Sequence, residues 1–300
     1  MMGVVRTVLV TGGAGFVGSH LCAAWAAQPG VRVVSLDNYF TGSEANHVVG
    51  VEYVRGAAAD IEALIDFAPD LVYHLGEYSR VEQSFADVSL VWEYNKLGIF
   101  AVLQFCRRVG AKLVYAGSST KFGDGGLGRS QSPYAWTKAS NTELVMNYGV
   151  WFGLRYAITY FYNVYGPREI ATGKYATLIA LFKHKYLMGE PLGVVLPGTQ
   201  KRNFTHVDDI VSGLMLVGTE GEGDEFGMGA PESYSIAEIA GMFGAPISWL
   251  PERPGNRMSA DVRTEKTEAL GWKAHKRIED DIQRFVQEHA FGSGATDVIN

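Results

Sequence analysis

Thr11-Gly-Gly-Ala-Gly-Phe-Val-Gly18 is the stretch whose reading decides the fold. Val8, Leu9 and Val10 precede it as an unbroken apolar run, expected of a strand buried on both faces. Ser19 to Ala27 follows as a helical pattern. Gly12, Gly15 and Gly18 therefore turn a strand into a helix in very little chain. The first N–H groups of that helix have no partner within it, and its dipole favours negative charge. A dinucleotide pyrophosphate meets both needs. Gly12 permits the turn, Gly15 lets the backbone approach phosphate, and Gly18 lets the helix pack on the strand. Gly is common in this chain, at 36 of 300 residues, so the spacing gains its weight from context. A second apolar strand at Val31–Leu36 supplies that context, because it ends on Asp37. An acid there binds an adenosine ribose through both hydroxyls and repels the extra phosphate of NADP, so NAD is expected. Asp37-Asn38 is also good turn chemistry.

Working outward, strands and helices alternate. Val51–Val54, Leu71–Leu75, Lys112–Gly117 and Arg155–Tyr162 read as further strands. Ala57–Phe67, Ser89–Val109 and Trp136–Val150 read as the helices between them. This alternation specifies an α/β fold, a Rossmann doubly wound parallel sheet covered on both faces. Ligands bind such sheets at the C-terminal strand ends, which directs attention to Gly76–Arg80, Ser118–Thr120 and Asn163. After Gly166-Pro167 the pattern loosens into Thr177–Met188 (helix), Leu192–Leu196 (extended), Asn203–Val217 (a turn into a helix) and a last helix near Ile278–His289. These are expected to form a smaller C-terminal α/β lobe over the strand ends.

Composition sets the bounds. Hydrophobic residues are 47% and charged residues 19%, which suits a globular enzyme with a sizeable core. The net charge of −6 argues against nucleic acid as a partner. The two cysteines, Cys22 and Cys106, lie in apolar helical patterns and read as buried free thiols. No apolar run reaches membrane-spanning length, and the N-terminus enters a strand almost at once, so a cytoplasmic protein without a membrane partner is expected. No metal-ligand pattern is present.

The chemistry points to Tyr134 and Lys138, four apart on one helix face. A tyrosine acting as a base near neutrality needs its ionisation brought down from about 10 by roughly three units, or roughly 4 kcal/mol. A nearby ammonium and a positive nicotinamide ring supply such stabilisation of phenolate. Ser118, ending the fifth strand, is placed to sit beside that phenol and bind a substrate oxygen.

With these residues the chain resembles the extended short-chain dehydrogenases/reductases, specifically the NAD-dependent sugar-nucleotide epimerase/dehydratase family. The resemblance also rests on His74-Leu75, Asn95, Tyr162-Asn-Val-Tyr-Gly-Pro-Arg168, Arg202-Asn-Phe-Thr-His-Val-Asp-Asp209, Arg253-Pro-Gly255 and Leu270-Gly-Trp272. It implies an NAD-binding domain over residues 1–166 and about 204–229, and a nucleotide-sugar-binding lobe over 167–203 and 230–300. It implies Tyr134, Lys138 and Ser118 as catalytic residues. Cofactor contacts are implied at Gly12, Gly15, Phe16, Val17, Gly18, Asp37, Asn38, Asp60, Leu75, Asn95 and Lys138. Asp60 reads either as an adenine contact or as a residue near a helix N-cap. Substrate contacts are implied at Ser79, Ser119, Thr120, Asn163, Arg202 and Arg253. Asn163 alternatively caps a turn, and Arg202 alternatively pairs with Asp208 or Asp209.

The implied substrate is a nucleotide-diphosphate sugar, and the implied reaction is epimerisation at C4 through a transient 4-keto sugar, UDP-hexose type favoured. A 4-keto-sugar reductase is the alternative. A dinucleotide-binding sensor without turnover is a third reading of the fold. Family dehydratases and decarboxylases place an acid just after the catalytic hydroxyl. Here that stretch is Ser118-Ser119-Thr120-Lys121, without a carboxylate. Glu77 stands where the family has small residues. It reads either as a contact to a sugar hydroxyl or as a salt bridge to Arg80 or Lys121. Two further departures, Tyr160 for the usual Arg and Asn203 for the usual Asp, discourage carrying over a particular sugar. The resemblance implies a homodimer through Ser89–Val109 and the helix after Tyr134, with Phe100, Leu103, Trp136 and Met146 available for the contact.

Overall fold

The computed structural model describes residues 5–119, 128–252 and 262–290. Thr120, Arg253 and the Asp124–Arg129 loop up to residue 127 fall outside the described residues. Seven parallel strands form the central sheet: β1 Thr7–Thr11, β2 Arg32–Asp37, β3 Val51–Arg55, β4 Leu71–His74, β5 Lys112–Ala116, β6 Tyr156–Phe161 and, much later in the chain, β11 Gly223–Met228. Their spatial order is β11-β6-β5-β4-β1-β2-β3. Val8, Leu9, Val10, Leu71, Val72, Leu113 and Val114 are all fully buried, as the unbroken apolar runs require.

The order reverses direction at β1, which pairs with β2 on one side and β4 on the other. That is the switch point at which the ends of β1 and β4 splay to leave a crevice. One apolar layer packs Ile99, Val102, Leu103 and Tyr148 against the sheet. The opposite layer packs Leu21, Trp25, Ile210 and Leu214. The helices behind these residues are α1 Phe16–Ala26, α2 Ile61–Leu64, α3 Val88–Val91, α4 Gly98–Val109, α5 Pro133–Phe152 and α7 Val207–Glu220.

A third apolar cluster, centred on Tyr165, Phe182, Leu192, Phe243 and Ile282, builds the smaller lobe. Its elements include α6 Leu178–Leu187, β8 Leu192–Val195, α8 Ile236–Met242, β13 Ile247–Leu250 and α10 Ile278–Ala290. A short α9, Glu265–Glu268, precedes α10 in the chain. β13 pairs parallel with β8. Two short strand pairs complete the connection: β7 Val164–Tyr165 with β10 Thr205–His206, and β9 Lys201–Arg202 with β12 Tyr234–Ser235.

Four expectations are corrected. α1 begins at Phe16, so the glycine turn runs into the helix earlier than Ser19. The expected helix over 57–67 is a 3-10 turn Ala58–Asp60 followed by only one α turn. The expected long helix over 89–109 is interrupted by a π segment, Trp92–Leu97, between α3 and α4. Leu103 is fully buried in the core and is not on an outer face, whereas Phe100, Trp136 and Met146 are exposed. Cys22 and Cys106 are buried free thiols, and burial raises the Cys22 thiol to about 12. Among the described residues no helix is long and apolar enough to cross a membrane, and no group of His, Cys, Asp and Glu is set to hold a metal.

Candidate active site

A cleft of about 610 Å³ runs along the C-terminal strand ends, from Gly12 and Gly18 past Ser118 and Tyr134 to Arg202 and Ile236 in the smaller lobe. Its volume is in the range of small-molecule and cofactor sites.

At one end the backbone of the glycine turn is packed too closely for side chains. A Cβ on Gly18 would meet the Gly12 carbonyl oxygen at 2.0 Å, and one on Gly12, whose φ is +75°, would meet the Gly76 backbone at 2.8 Å. Gly15 occupies the N-cap of α1 without any side-chain cap, so the helix N–H groups are presented to the cleft. Phe16 and Val17 line the cleft with them. Asp37 is 5% exposed at the end of β2. Its Oδ2 accepts from the Ala14 N–H at 2.9 Å and its Oδ1 from the Tyr39 N–H at 2.7 Å. The carboxylate thereby fixes the two loops around it. A glycine cradle at a helix N-terminus with an acid at the end of the next strand fits a dinucleotide. Asn38 and Leu75 also line the cleft.

Two expected cofactor contacts are not among the residues that line the cleft. Asp60 is exposed and stands at the N-cap of α2, its second reading, while Ala57, Ala58 and Ala59 line the cleft. Asn95, in the π segment, is fully buried behind the cleft wall. Its Oδ1 accepts from the Tyr78 N–H at 2.7 Å, and its Nδ2 donates to the Tyr78 carbonyl and to Thr137 Oγ1. It braces the loop after β4 against α5.

At the centre, the Tyr134 hydroxyl donates to Ser118 Oγ at 3.2 Å. Ser132 caps α5 by accepting from the Ala135 N–H, with Pro133 in the first turn, which fixes where Tyr134 and Lys138 emerge. Lys138 is 5% exposed, and its Nζ donates to the Ala116 carbonyl at 2.7 Å. Ser79 and Ser119 line the cleft beside them.

Glu77 forms the salt bridge of its second reading, but to Lys138. Its side chain is 1% exposed, and Oε2 lies 2.5 Å from Lys138 Nζ. The Tyr115 hydroxyl donates to Oε2 at 3.0 Å and Asn141 Nδ2 to Oε1 at 3.0 Å. His74 Nε2 stands 3.5 Å from Oε1. Burial opposes ionisation of Glu77, but the charge of Lys138 and the hydrogen bonds outweigh it and hold the carboxyl below its usual range. Glu77 is also among the residues that line the cleft.

In the lobe half, Asn163 sits at φ +40° between β6 and β7, donates to the Asn203 carbonyl and lines the cleft. Arg202 lines the cleft from β9. Its alternative partners are taken: Asp208 pairs with Lys276, and Asp209 accepts from the His275 and Lys276 N–H groups. The two departures are structural. Tyr160 is fully buried and donates to Asp224, tying β6 to β11. Asn203 Nδ2 donates to the carbonyls of Ala230, Pro231 and Glu232.

Three further residues line the cleft, of which Arg80 lies in the Gly76–Arg80 stretch singled out from the sequence and Glu169 and Phe40 were not foreseen. Arg80 lines it, donating to the Tyr175 and Ser79 carbonyls without a carboxylate partner among the described residues. Glu169, next to the Gly166-Pro167-Arg168 motif, lines it with a carboxyl pushed up to about 7 by burial. Phe40 packs on Tyr78, Tyr94 and Tyr175 with ring centroids 5.1–6.1 Å apart, joining the loop after β2 to the smaller lobe. The hint in sequence was their position immediately after strand ends or motifs.

Comparison with known proteins agrees with this geometry. The family model "NAD dependent epimerase/dehydratase family" matches residues 8–237. The chain belongs to that family. It is 30% identical to UDP-glucuronic acid decarboxylase 6 of Arabidopsis thaliana, over 92% of this chain and 86% of that protein. It is 29% identical to a putative UDP-glucose 4-epimerase of Methanocaldococcus jannaschii, over 93% of this chain and 97% of that one. Among solved structures it is similar to the UDP-glucose 4-epimerase of Thermus thermophilus in complex with NAD, with a TM-score of 0.83 at 30% identity, covering 96% and 99% of the two chains. This family member is thus an extended short-chain dehydrogenase/reductase fold using NAD.

Proposed function

We propose that this chain is an NAD-dependent epimerase of a nucleotide-activated sugar, acting at C4 of a UDP-hexose-type substrate. The observation that carries the reading is the Ser118–Tyr134 hydrogen bond of 3.2 Å, with Lys138 held on the same helix, in a stretch Ser118-Ser119-Thr120-Lys121 that contains no carboxylate. Tyr134 takes the proton from the C4 hydroxyl, with Ser118 bridging the phenol and the substrate oxygen. Lys138 stabilises the phenolate and holds the nicotinamide ribose. NAD, when bound, supplies the hydride acceptor and returns it. The same tyrosine hands the proton back after the keto sugar has turned over in the cleft. Asp37 and the glycine cradle hold the dinucleotide, and Arg202 and Asn163 hold the sugar's diphosphate. Ser79 and Ser119 line the sugar.

Decarboxylation of UDP-glucuronate is the second reading, favoured by similarity to proteins with that activity. The missing carboxylate after Ser118 speaks against it, and Glu77 is paired with Lys138. The 4-keto reductase reading differs in consuming NAD(P)H. The test is incubation with UDP-sugars followed by product analysis: an inverted sugar with no CO2 and no net change in cofactor supports the epimerase. The enzyme is further proposed to work in the cytoplasm as a homodimer through Phe100, Trp136 and Met146. Trp136 stacks on Trp92 at 6.0 Å, leaving both partly exposed on one apolar face.

A further inference from the structure

Lys138 has three N–H donors. Two are committed to the protein, one to the Ala116 carbonyl at 2.7 Å and one to Glu77 Oε2 at 2.5 Å. One donor remains for the cleft. The ammonium is therefore aimed, and a carboxylate sits directly behind it.

That carboxylate is built in from several elements. Tyr115 on β5 and Asn141 on α5 each donate to it, and His74 on β4 faces it at 3.5 Å. His74 Nδ1 in turn hydrogen-bonds Thr11 Oγ1 at 2.7 Å, at the start of the glycine turn. Asn141 Nδ2 also donates to the Asn95 carbonyl, and Lys96 donates to Asn141 Oδ1. The charged or titratable groups facing Glu77 are thus Lys138, His74 and Tyr115, with Lys96 one residue further out. Burial and the Glu77 charge push the Tyr115 phenol up, so it remains a donor. The seat is closed to solvent, with the Glu77 side chain 1% exposed.

We infer that Glu77 is a positioning residue for catalysis, which fixes the direction of the Lys138 ammonium and offsets part of its charge. The inference rests on the proposal that Tyr134 is the acid/base and Lys138 its electrostatic partner. Two consequences follow from elementary electrostatics. A carboxylate behind the ammonium weakens the field that Lys138 exerts on the Tyr134 oxygen. It also prevents the ammonium from swinging into the cleft, so the remaining donor keeps one direction.

The test is an ultraviolet titration of phenolate in the NAD-loaded protein, with Tyr134→Phe as the subtraction that isolates Tyr134. Glu77→Gln keeps the shape of the seat and removes its charge. The midpoint of the Tyr134 phenolate signal is expected to fall by about one pH unit, the order of effect of a single nearby unit charge in a site of intermediate polarity. The low-pH limb of kcat/KM for the sugar should move with it. Glu77→Asp, which keeps the charge but draws back from Nζ, should move the midpoint the same way by less than half as much. It also carries the test if the glutamine variant does not fold. A folded Glu77→Gln or Glu77→Asp protein with the wild-type midpoint overturns the inference, even if its thermal stability is lowered. If wild type and Tyr134→Phe titrate identically across the working pH range, it is the acid/base reading of Tyr134 that fails.

Discussion

Replacing Glu169 by Gln should stabilise the protein at alkaline pH and leave it unchanged in acid. Glu169 lines the cleft, accepts from the Gly166 N–H through Oε2 at 2.8 Å, and leaves Oε1 buried without a hydrogen bond. Burial raises its carboxyl from 4.5 to about 7, against the smaller opposing effect of the Gly166 N–H. The folded chain thus holds this proton more tightly than the unfolded chain. Stability from this group is then fully present below the unfolded value and is lost as the pH rises through the folded value. A shift of about 2.5 units, at about 1.4 kcal/mol per unit, makes the ionised carboxylate cost about 3 kcal/mol once the pH exceeds the folded value. Glutamine keeps the acceptor for Gly166 and never ionises. Urea unfolding followed by circular dichroism should show Glu169→Gln more stable than wild type by about 2–3 kcal/mol near pH 8.5. The two curves should converge as the pH falls to about 4.5. A difference that is constant with pH, or a less stable variant in alkali, would refute the reasoning.

Tyr134→Phe deletes the phenol that bonds Ser118 and should lower turnover by roughly 10²–10⁴-fold with the circular dichroism spectrum intact; near-wild-type turnover would sink the mechanism. Gly18→Ala forces a methyl to within 2.0 Å of the Gly12 carbonyl oxygen. It should lose about 1–3 kcal/mol in thermal unfolding and weaken NAD binding by calorimetry, and an unchanged midpoint and affinity would contradict the cradle. Trp136→Glu, on the exposed apolar face, should convert a dimer to a monomer in light scattering while leaving the fold in place. An unaltered mass would remove that face from the interface.

The central sheet was legible because its inner strands are buried on both faces and therefore read as unbroken apolar runs. β11 was not, because it is an edge strand: Gly223-Asp-Glu-Phe-Gly-Met228 buries only its second half. The π segment at Trp92–Leu97 has the composition of an ordinary helix, so nothing in the pattern announced that Asn95 would turn inward on Tyr78. Tyr134, Lys138 and Ser118 were legible because strand ends and helix starts fix them. The ion-pair partner of Glu77 was not legible, for the opposite reason. Its neighbours in sequence suggested Arg80, while its partner Lys138 arrives from a distant helix that packs across the end of β4. Of the two readings of Asp60, the one near a helix N-cap is what the structure shows, at the end of a 3-10 turn that replaces the first part of the expected helix.

The account stands most directly on the fate of UDP-sugars offered to the NAD-loaded protein. UDP-glucose, UDP-galactose, their N-acetyl counterparts and UDP-glucuronate should be tested one at a time, with sugar products, released CO2 and cofactor absorbance read together. Interconversion of a C4 pair, with no CO2 and no net change in NADH, is the predicted result. Release of CO2 from UDP-glucuronate, or stoichiometric appearance of NADH with a keto sugar, would contradict it.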